Sequence, residues 1–353
     1  MISPMSDIKQ VAVSNLAKLA QGNYVSDILP IGNLLYVCGT FNTIGGIAAN
    51  NIAVYDTQKN TWSPLGSGMN GSVNSMIMDS SNRLYACGMF TSAGGAPCSK
   101  IAMWDGSKWN ALKSGLQGQG GPTSIAFYNS RLVVAGYFES ADNVSGTRAI
   151  AMWDGSSWSS VSGGIQTNGV DILVAGSDGL YVGGQFYSQP TVDGKNATAF
   201  VKWDGNGWRW MGAFNDGVTS ILVRSPTEIY VGGRFTLING ETINRIAQWD
   251  GIKWNAFGNG VNDVVNVIYM DPKYLYIAGQ FNDRFSRWDG KEWTPLGLSF
   301  AGQWDSIQTV AFFENLVYIG GYFMTINNVS SPFFAKIDYL TSSTGDMSTL
   351  MFI

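Results

Sequence analysis

The sequence predicts an all-β chain folded as a single seven-bladed β-propeller of four-stranded antiparallel blades, its ring closed by a terminal strand. Three observations predict it. A segment of the form Y-x-x-G-x-F, with close variants, occurs seven times in 353 residues. A second segment, close to I-A-x-W-D-G-x-x-W, follows the first in most copies. Successive copies of the first lie 42 to 49 residues apart, enough for four short strands and their turns.

The first segment occupies residues 36–41, 85–90, 133–138, 181–186, 230–235, 276–281 and 318–323. The second occupies residues 101–109, 151–158, 201–208, 246–254 and 285–293. Tyr55, Asp56 and Trp62 form a looser first copy, and Ile337, Asp338 and Met347 a degenerate last one. Each repeat parses into strands a to d. In the second repeat these are residues 73–78, 83–90, 101–104 and 109–112. Strands a and b are apolar and β-branched, as expected when both faces are covered. The blades are expected at residues 24–69, 70–116, 117–165, 166–214, 215–260, 261–300 and 301–353, the last completed by residues 11–22. Helical solenoids require a 3.6-residue period that is absent, and a β-helix would show shorter rungs.

Each repeated residue has a structural expectation. Asp-Gly between strands c and d suits a tight turn, because Asp bonds nearby backbone N–H groups and Gly tolerates positive φ. Asp56, Asp105, Asp154, Asp204, Asp250, Asp289 and Asp338 are therefore turn residues. Carboxylates spread around a ring do not converge on one substrate. The Gly of the first segment sits mid-strand, where it marks a close approach. The expected visitor is a large aromatic of the neighbouring blade: Trp104, Trp153, Trp203, Trp249 or Trp288. Residues 15–22 resemble the strand d of residues 109–115, so the N-terminus is the expected closing strand, with residues 347–353 as the competitor.

These W-D-G-x-x-W repeats resemble those of kelch-like and fungal cortical-marker-like propellers, and of uncharacterised proteins of large DNA viruses. The similarity covers nearly the whole chain. It implies a propeller and leaves function open, since propellers host enzymes, lectins and scaffolds. The paired Gly-His and Trp-Asp signature of WD40 repeats is not matched closely, nor is a strict Gly-Gly in every copy.

Composition excludes several function classes. The 21 Lys and Arg are scattered against 25 Asp and Glu, for a net charge of −4. Nucleic acid is not an expected partner without a basic footprint. The three cysteines, Cys38, Cys87 and Cys98, form no disulfide framework and are expected as buried thiols, pointing to a reducing compartment. No signal peptide or apolar run of membrane-spanning length is read, so no membrane insertion is expected; an intracellular or virion location is favoured. There is no histidine, which removes Ser-His-Asp and Cys-His nucleophiles and histidine metal sites. The copper site of galactose-oxidase-like propellers, which the resemblance would invite, is excluded with them. The Gly-rich residues 115–121 link two strands, with no following helix to hold a phosphate.

No catalytic residue, metal site or cofactor is assigned. A carboxylate pair of glycosidase type, or an arginine cluster from Arg234, Arg245, Arg284 and Arg287, would be needed for a glycan hydrolase or lyase. The expected function is instead a non-catalytic interaction or structural propeller, docking a protein partner or assembly, with a viral particle suggested by the resemblance. The alternative is a multivalent glycan-binding propeller. The b–c links are long in six repeats, so one face is elaborated, and function concentrates on such loops. The candidate contacts, around the channel mouth, are Tyr187, Gln189, Asp193, Lys195, Asn196, Asn239 and Glu241.

Overall fold

A computed structural model describes residues 8–16, 24–165, 167, 169–302, 305–313 and 316–341. The described residues contain no helix. Seven four-stranded antiparallel sheets follow one another along the chain. The second blade is typical: strand a Val73–Met78, strand b Leu84–Gly88, strand c Ile101–Trp104 and strand d Trp109–Ala111. Each strand a packs on the strand a of the next blade, and the last (Ser306–Phe313) packs on the first (Tyr24–Ile31), which closes the ring.

Side chains of the inner strands lace neighbouring blades together. Asn74 donates to the Pro122 carbonyl at 2.7 Å, Thr123 to Val170 at 2.7 Å, Thr219 to Val265 at 2.8 Å and Asn266 to Ile307 at 3.0 Å. One residue further along, the Ser124 and Ser220 hydroxyls accept the backbone N–H groups of Leu173 and Ile268. These inner-strand polar side chains, set in an apolar stack, thus have partners.

The mid-strand glycines have a different cause from the one expected. In six blades strand a carries a register shift opposite strand b, for example between Val73 and Ser75. The shift drives the strand-a backbone toward strand b. A Cβ on Gly88 would stand 2.1 Å from the Ser72 carbonyl oxygen, and one on Gly233 would stand 2.2 Å from that of Gly217. The close visitor is therefore the blade's own backbone. Trp104 packs elsewhere, over Gly66 at the end of the preceding blade, and stacks at a tilt on Trp109 with centroids 5.5 Å apart.

Six of the seven expected turn aspartates close their c–d turns. Asp154 Oδ1 accepts the N–H groups of Ser156 and Ser157, both at 2.8 Å, and Asp56, Asp105, Asp204, Asp250 and Asp289 repeat the pattern. Asp338 departs from it. It lies within strand Phe334–Thr341, opposite Ala12. No c–d turn is needed there, because strand d of the last blade is Ile8–Ser14, from the other end of the chain.

Closure by the N-terminus agrees with the expectation, with a shift in register. Trp109, Trp158 and Trp254 donate their indole N–H to the carbonyls of Leu65, Leu112 and Met211 in the preceding blade. Trp62 makes the same bond to Leu16 at 3.0 Å. Leu16 therefore takes the place of Leu112, and Val13 that of Trp109, two residues earlier than the resemblance of residues 15–22 to strand d implies. Residues 17–23 and 342–353, including the competing segment 347–353, lie outside the described residues.

Candidate interaction face at the channel mouth

The b–c and d–a links emerge on one face. Five of the long b–c links fold into short hairpins, such as Thr191–Val192 with Lys195–Asn196 and Leu237–Ile238 with Glu241–Thr242. Their turns use Gly-Gly, Asp-Gly, Asn-Gly or Asn-Asn, which accept the left-handed conformations that two-residue hairpins demand. In the third blade a tight turn at Asp142 and Asn143 does the same work. Link length thus has a structural cause. Each hairpin buries one apolar residue, Ile238 or Ile326 for instance, and three of them bridge through it to the d–a link of the preceding blade, Ala93 to Met69, Ile238 to Phe214 and Ile326 to Phe300. Asparagine amides add to the bracing: Asn215 Oδ1 accepts the N–H groups of Thr236 at 2.8 Å and Leu237 at 2.9 Å.

The seven candidate contacts divide into two groups. Asp193 accepts the Trp210 backbone N–H at 2.9 Å, and the Lys195 ammonium lies 3.9 Å above the Trp210 ring. Asn239 Oδ1 accepts the Ala213 N–H at 2.9 Å. Both hairpins are thereby fastened to the outer strand d of the fourth blade and the link behind it, at the rim rather than over the channel. Asn196 and Glu241 are exposed on these hairpins, and Gln189, at φ +42°, turns the fourth link. Tyr187 is 66% exposed and donates its hydroxyl to Gln185 at 2.8 Å.

A set of residues that the sequence reading overlooked sits closer to the mouth. In Y-x-x-G-x-F the Phe is buried in every blade. The residue before it points to the opposite side of the pleat. These residues are Thr40, Met89, Tyr137, Gln185, Arg234, Gln280 and Tyr322. They reach toward the next blade: Met89 lies over Gly121, Tyr137 over Gly169, and Tyr322 meets Tyr24 with ring centroids 4.8 Å apart. Tyr137 donates its hydroxyl to Asp171, and Arg234 stands 3.9 Å from the same carboxylate, so three successive blades meet there. Burial raises the pKa of Asp171, against the Tyr137 hydrogen bond and the Arg234 charge. Burial, then the Asp171 bond, push the Tyr137 phenol up. The signal was present in the sequence, since Met and Tyr stand where strand alternation calls for an outward residue.

The other chemical candidates disperse. Arg245 donates to the Arg234 carbonyl, Arg284 to the carbonyls of Gln280 and Phe281, and Arg287 is buried against the Tyr274 ring. Residues 115–121 offer carbonyls rather than N–H groups: Gly118 and Gly120 accept from the Lys100 ammonium, the reverse of a phosphate cradle. Cys38, Cys87 and Cys98 are buried free thiols, and burial pushes that of Cys98 up to about 11. Among the described residues no group of three or more Cys, Asp or Glu side chains is placed to hold a metal ion.

Comparison with known proteins agrees with the architecture. Residues 73–221 match the family described as the Rax2 C-terminal beta propeller domain. No curated protein matches the chain. Two solved structures are similar at a TM-score of 0.58. The computationally designed Ika8 protein shares 12% identity, over 92% of this chain and 99% of its own. The WD40 beta propeller domain of Doa1 shares 14% identity, over 92% of this chain and 96% of its own. At such identities the likeness is one of fold, and with the family match it establishes this chain as a repeat-built β-propeller.

Proposed function

We propose that the protein is a non-catalytic interaction propeller that docks a protein partner on its hairpin face, over the channel mouth. One observation carries this reading. Eight large hydrophobic side chains are exposed among the described residues, and seven of them lie on that face: Met89, Tyr137, Tyr187, Leu237, Tyr322, Met324 and Val329. The eighth, Ile252, is on a c–d turn of the opposite face. Exposed apolar groups gathered on one side of a rigid scaffold favour association, and Tyr, Met and Arg are enriched where interfaces bind. The rim residues Asp193, Lys195, Asn196, Asn239 and Glu241 would form the polar border. The resemblance of the repeat to proteins of large DNA viruses is what supports a viral particle as the setting.

A photo-crosslinking residue at position 137 or 322, in the protein expressed in its native setting, tests the reading. A discrete protein adduct is expected from both positions and none from position 252. Adducts from position 252 alone would place the interface on the opposite face and end the proposal.

A further inference from the structure

Charge is unevenly spread over the hairpin face. On the adjacent seventh, first and second blades the face is formed by residues 322–333, 40–51 and 89–99, with the link 65–72 between the last two. These segments hold no Asp, Glu, Lys or Arg, although 13% of the chain is charged. Lys113 and Asp305 stand at the two borders of this sector. Lys100, 8% exposed, turns its ammonium inward to the Gly118 and Gly120 carbonyls. On the third to sixth blades the same loops carry both signs, Glu139, Asp171, Lys195, Arg234, Asp263 and Arg284 among them. We propose that the uncharged sector is the face through which two copies of this chain associate about a two-fold axis. The inference rests on the reading of the hairpin face as the docking face, and names the occupant of one sector of it.

Four of the large exposed hydrophobic side chains lie in this sector: Met89, Tyr322, Met324 and Val329, each between 38% and 46% exposed. Interface cores are depleted of charge and enriched in Tyr and Met, and those of homodimers are the more apolar. The polar groups of the sector are amides and hydroxyls, with Asn42, Thr43, Asn328 and Ser330 exposed. Each of these side chains both donates and accepts, so the same group on a second copy can answer it. A two-fold interface sets one patch against the same patch, and a charge near its axis meets its own sign. An uncharged patch is therefore complementary to itself. A charged partner would find no counter-charge here and would lose hydration from its own groups. The net charge of −4 opposes the approach of two copies elsewhere on the surface, and leaves this sector as the place of least repulsion.

Sedimentation velocity of the full chain, at micromolar concentration, is the test. A species of twice the 38.1 kDa chain mass is expected. It should persist between about 50 and 500 mM salt, because no ion pair holds it. Met89→Asp, Met324→Asp and Val329→Asp, all exposed changes, should each weaken the dimer at least about tenfold. Melting curves check that each variant stays folded. Leu237→Asp adds the same charge on the fifth blade and should leave the dimer intact. A monomer at every concentration overturns the proposal. So does a dimer that survives all three sector variants, or one that Leu237→Asp dissolves. A monomeric chain that still gives an adduct with another protein from position 137 or 322 removes the second copy and leaves the docking face standing.

Discussion

The carboxylate of Asp27 in the first blade accepts the backbone N–H of Met76 in the second at 3.0 Å. Ser124 and Ser220 occupy the equivalent position in other blades and make the same bond with a neutral hydroxyl. Asp27 makes it with a carboxylate that has no ion-pair partner among the described residues; the thiols of Cys38 and Cys87 are its titratable neighbours. Burial raises its carboxyl to about 6, against the hydrogen bonds of Met76, Ile28 and Ser75.

A raised folded-state pKa gives stability that is complete below the unfolded value of 3.8 and is lost as pH rises through about 6. Asp27→Ser is therefore expected to stabilise the protein near pH 8, by about 1–3 kcal/mol, with the gain shrinking toward pH 4. Urea denaturation at the two pH values checks this. A gain independent of pH would assign the effect to packing instead.

The turn aspartates behave in the opposite sense. Hydrogen bonds from backbone N–H groups, that of Lys253 first, hold Asp250 at about 2. Asp154 is depressed in the same way by Ser156 and Ser157. Their contribution is present above the unfolded pKa and is lost as pH falls through the folded one. Asp154→Ala should lower Tm by roughly 2–4 °C at neutral pH. Carbon-detected NMR titration should find the Asp250 midpoint near 2; an ordinary carboxylate midpoint would remove the assigned role.

Gly88→Ala places a methyl against the Ser72 carbonyl and should cost about 3 kcal/mol or more, because backbone must move. Gly95→Ala, in an open hairpin turn at φ +82°, should cost only about 1 kcal/mol. Since Trp104 is not the neighbour that Gly88 accommodates, Gly88→Ala and Trp104→Ala should add to within about 0.5 kcal/mol. Strong coupling between them in denaturation would restore the tryptophan explanation.

Removing residues 1–16 leaves the Phe334–Thr341 edge unpaired and the Trp62 indole without its acceptor. An open apolar edge promotes association, so the truncated chain should melt at least about 10 °C lower and aggregate. Trp62→Phe in the full chain removes the hydrogen bond together with part of the ring packed against Tyr55 and Phe334, and should cost about 2–3 kcal/mol. An unchanged melting point after truncation would show that the N-terminal strand does not close the ring.

The sequence by itself determined the number of blades, their four-strand meander and the c–d turns at Asp-Gly, and it left two candidate segments for the strand that closes the ring. These follow from local chemistry that recurs along the chain, seven times in the first segment and five times at the Asp-Gly of the c–d turns, so each copy corroborates the others. Only the tertiary structure decided that the N-terminal strand closes the ring, and in which register, because it pairs with Phe334–Thr341 and Leu16 accepts the bond from Trp62, 46 residues away. It also decided what the mid-strand glycines accommodate, since the strand-a shifts arise from pairing that no local pattern encodes. The candidate face divides in the same way. Long b–c links were legible as length, and their hairpin turns were legible in Asp193-Gly194 and Asn239-Gly240. That the links fold back onto the outer strands, leaving Met89, Tyr137 and Tyr322 at the mouth, depends on blades packing side by side in a ring. Exposure is a property of that assembly, and no single repeat contains it.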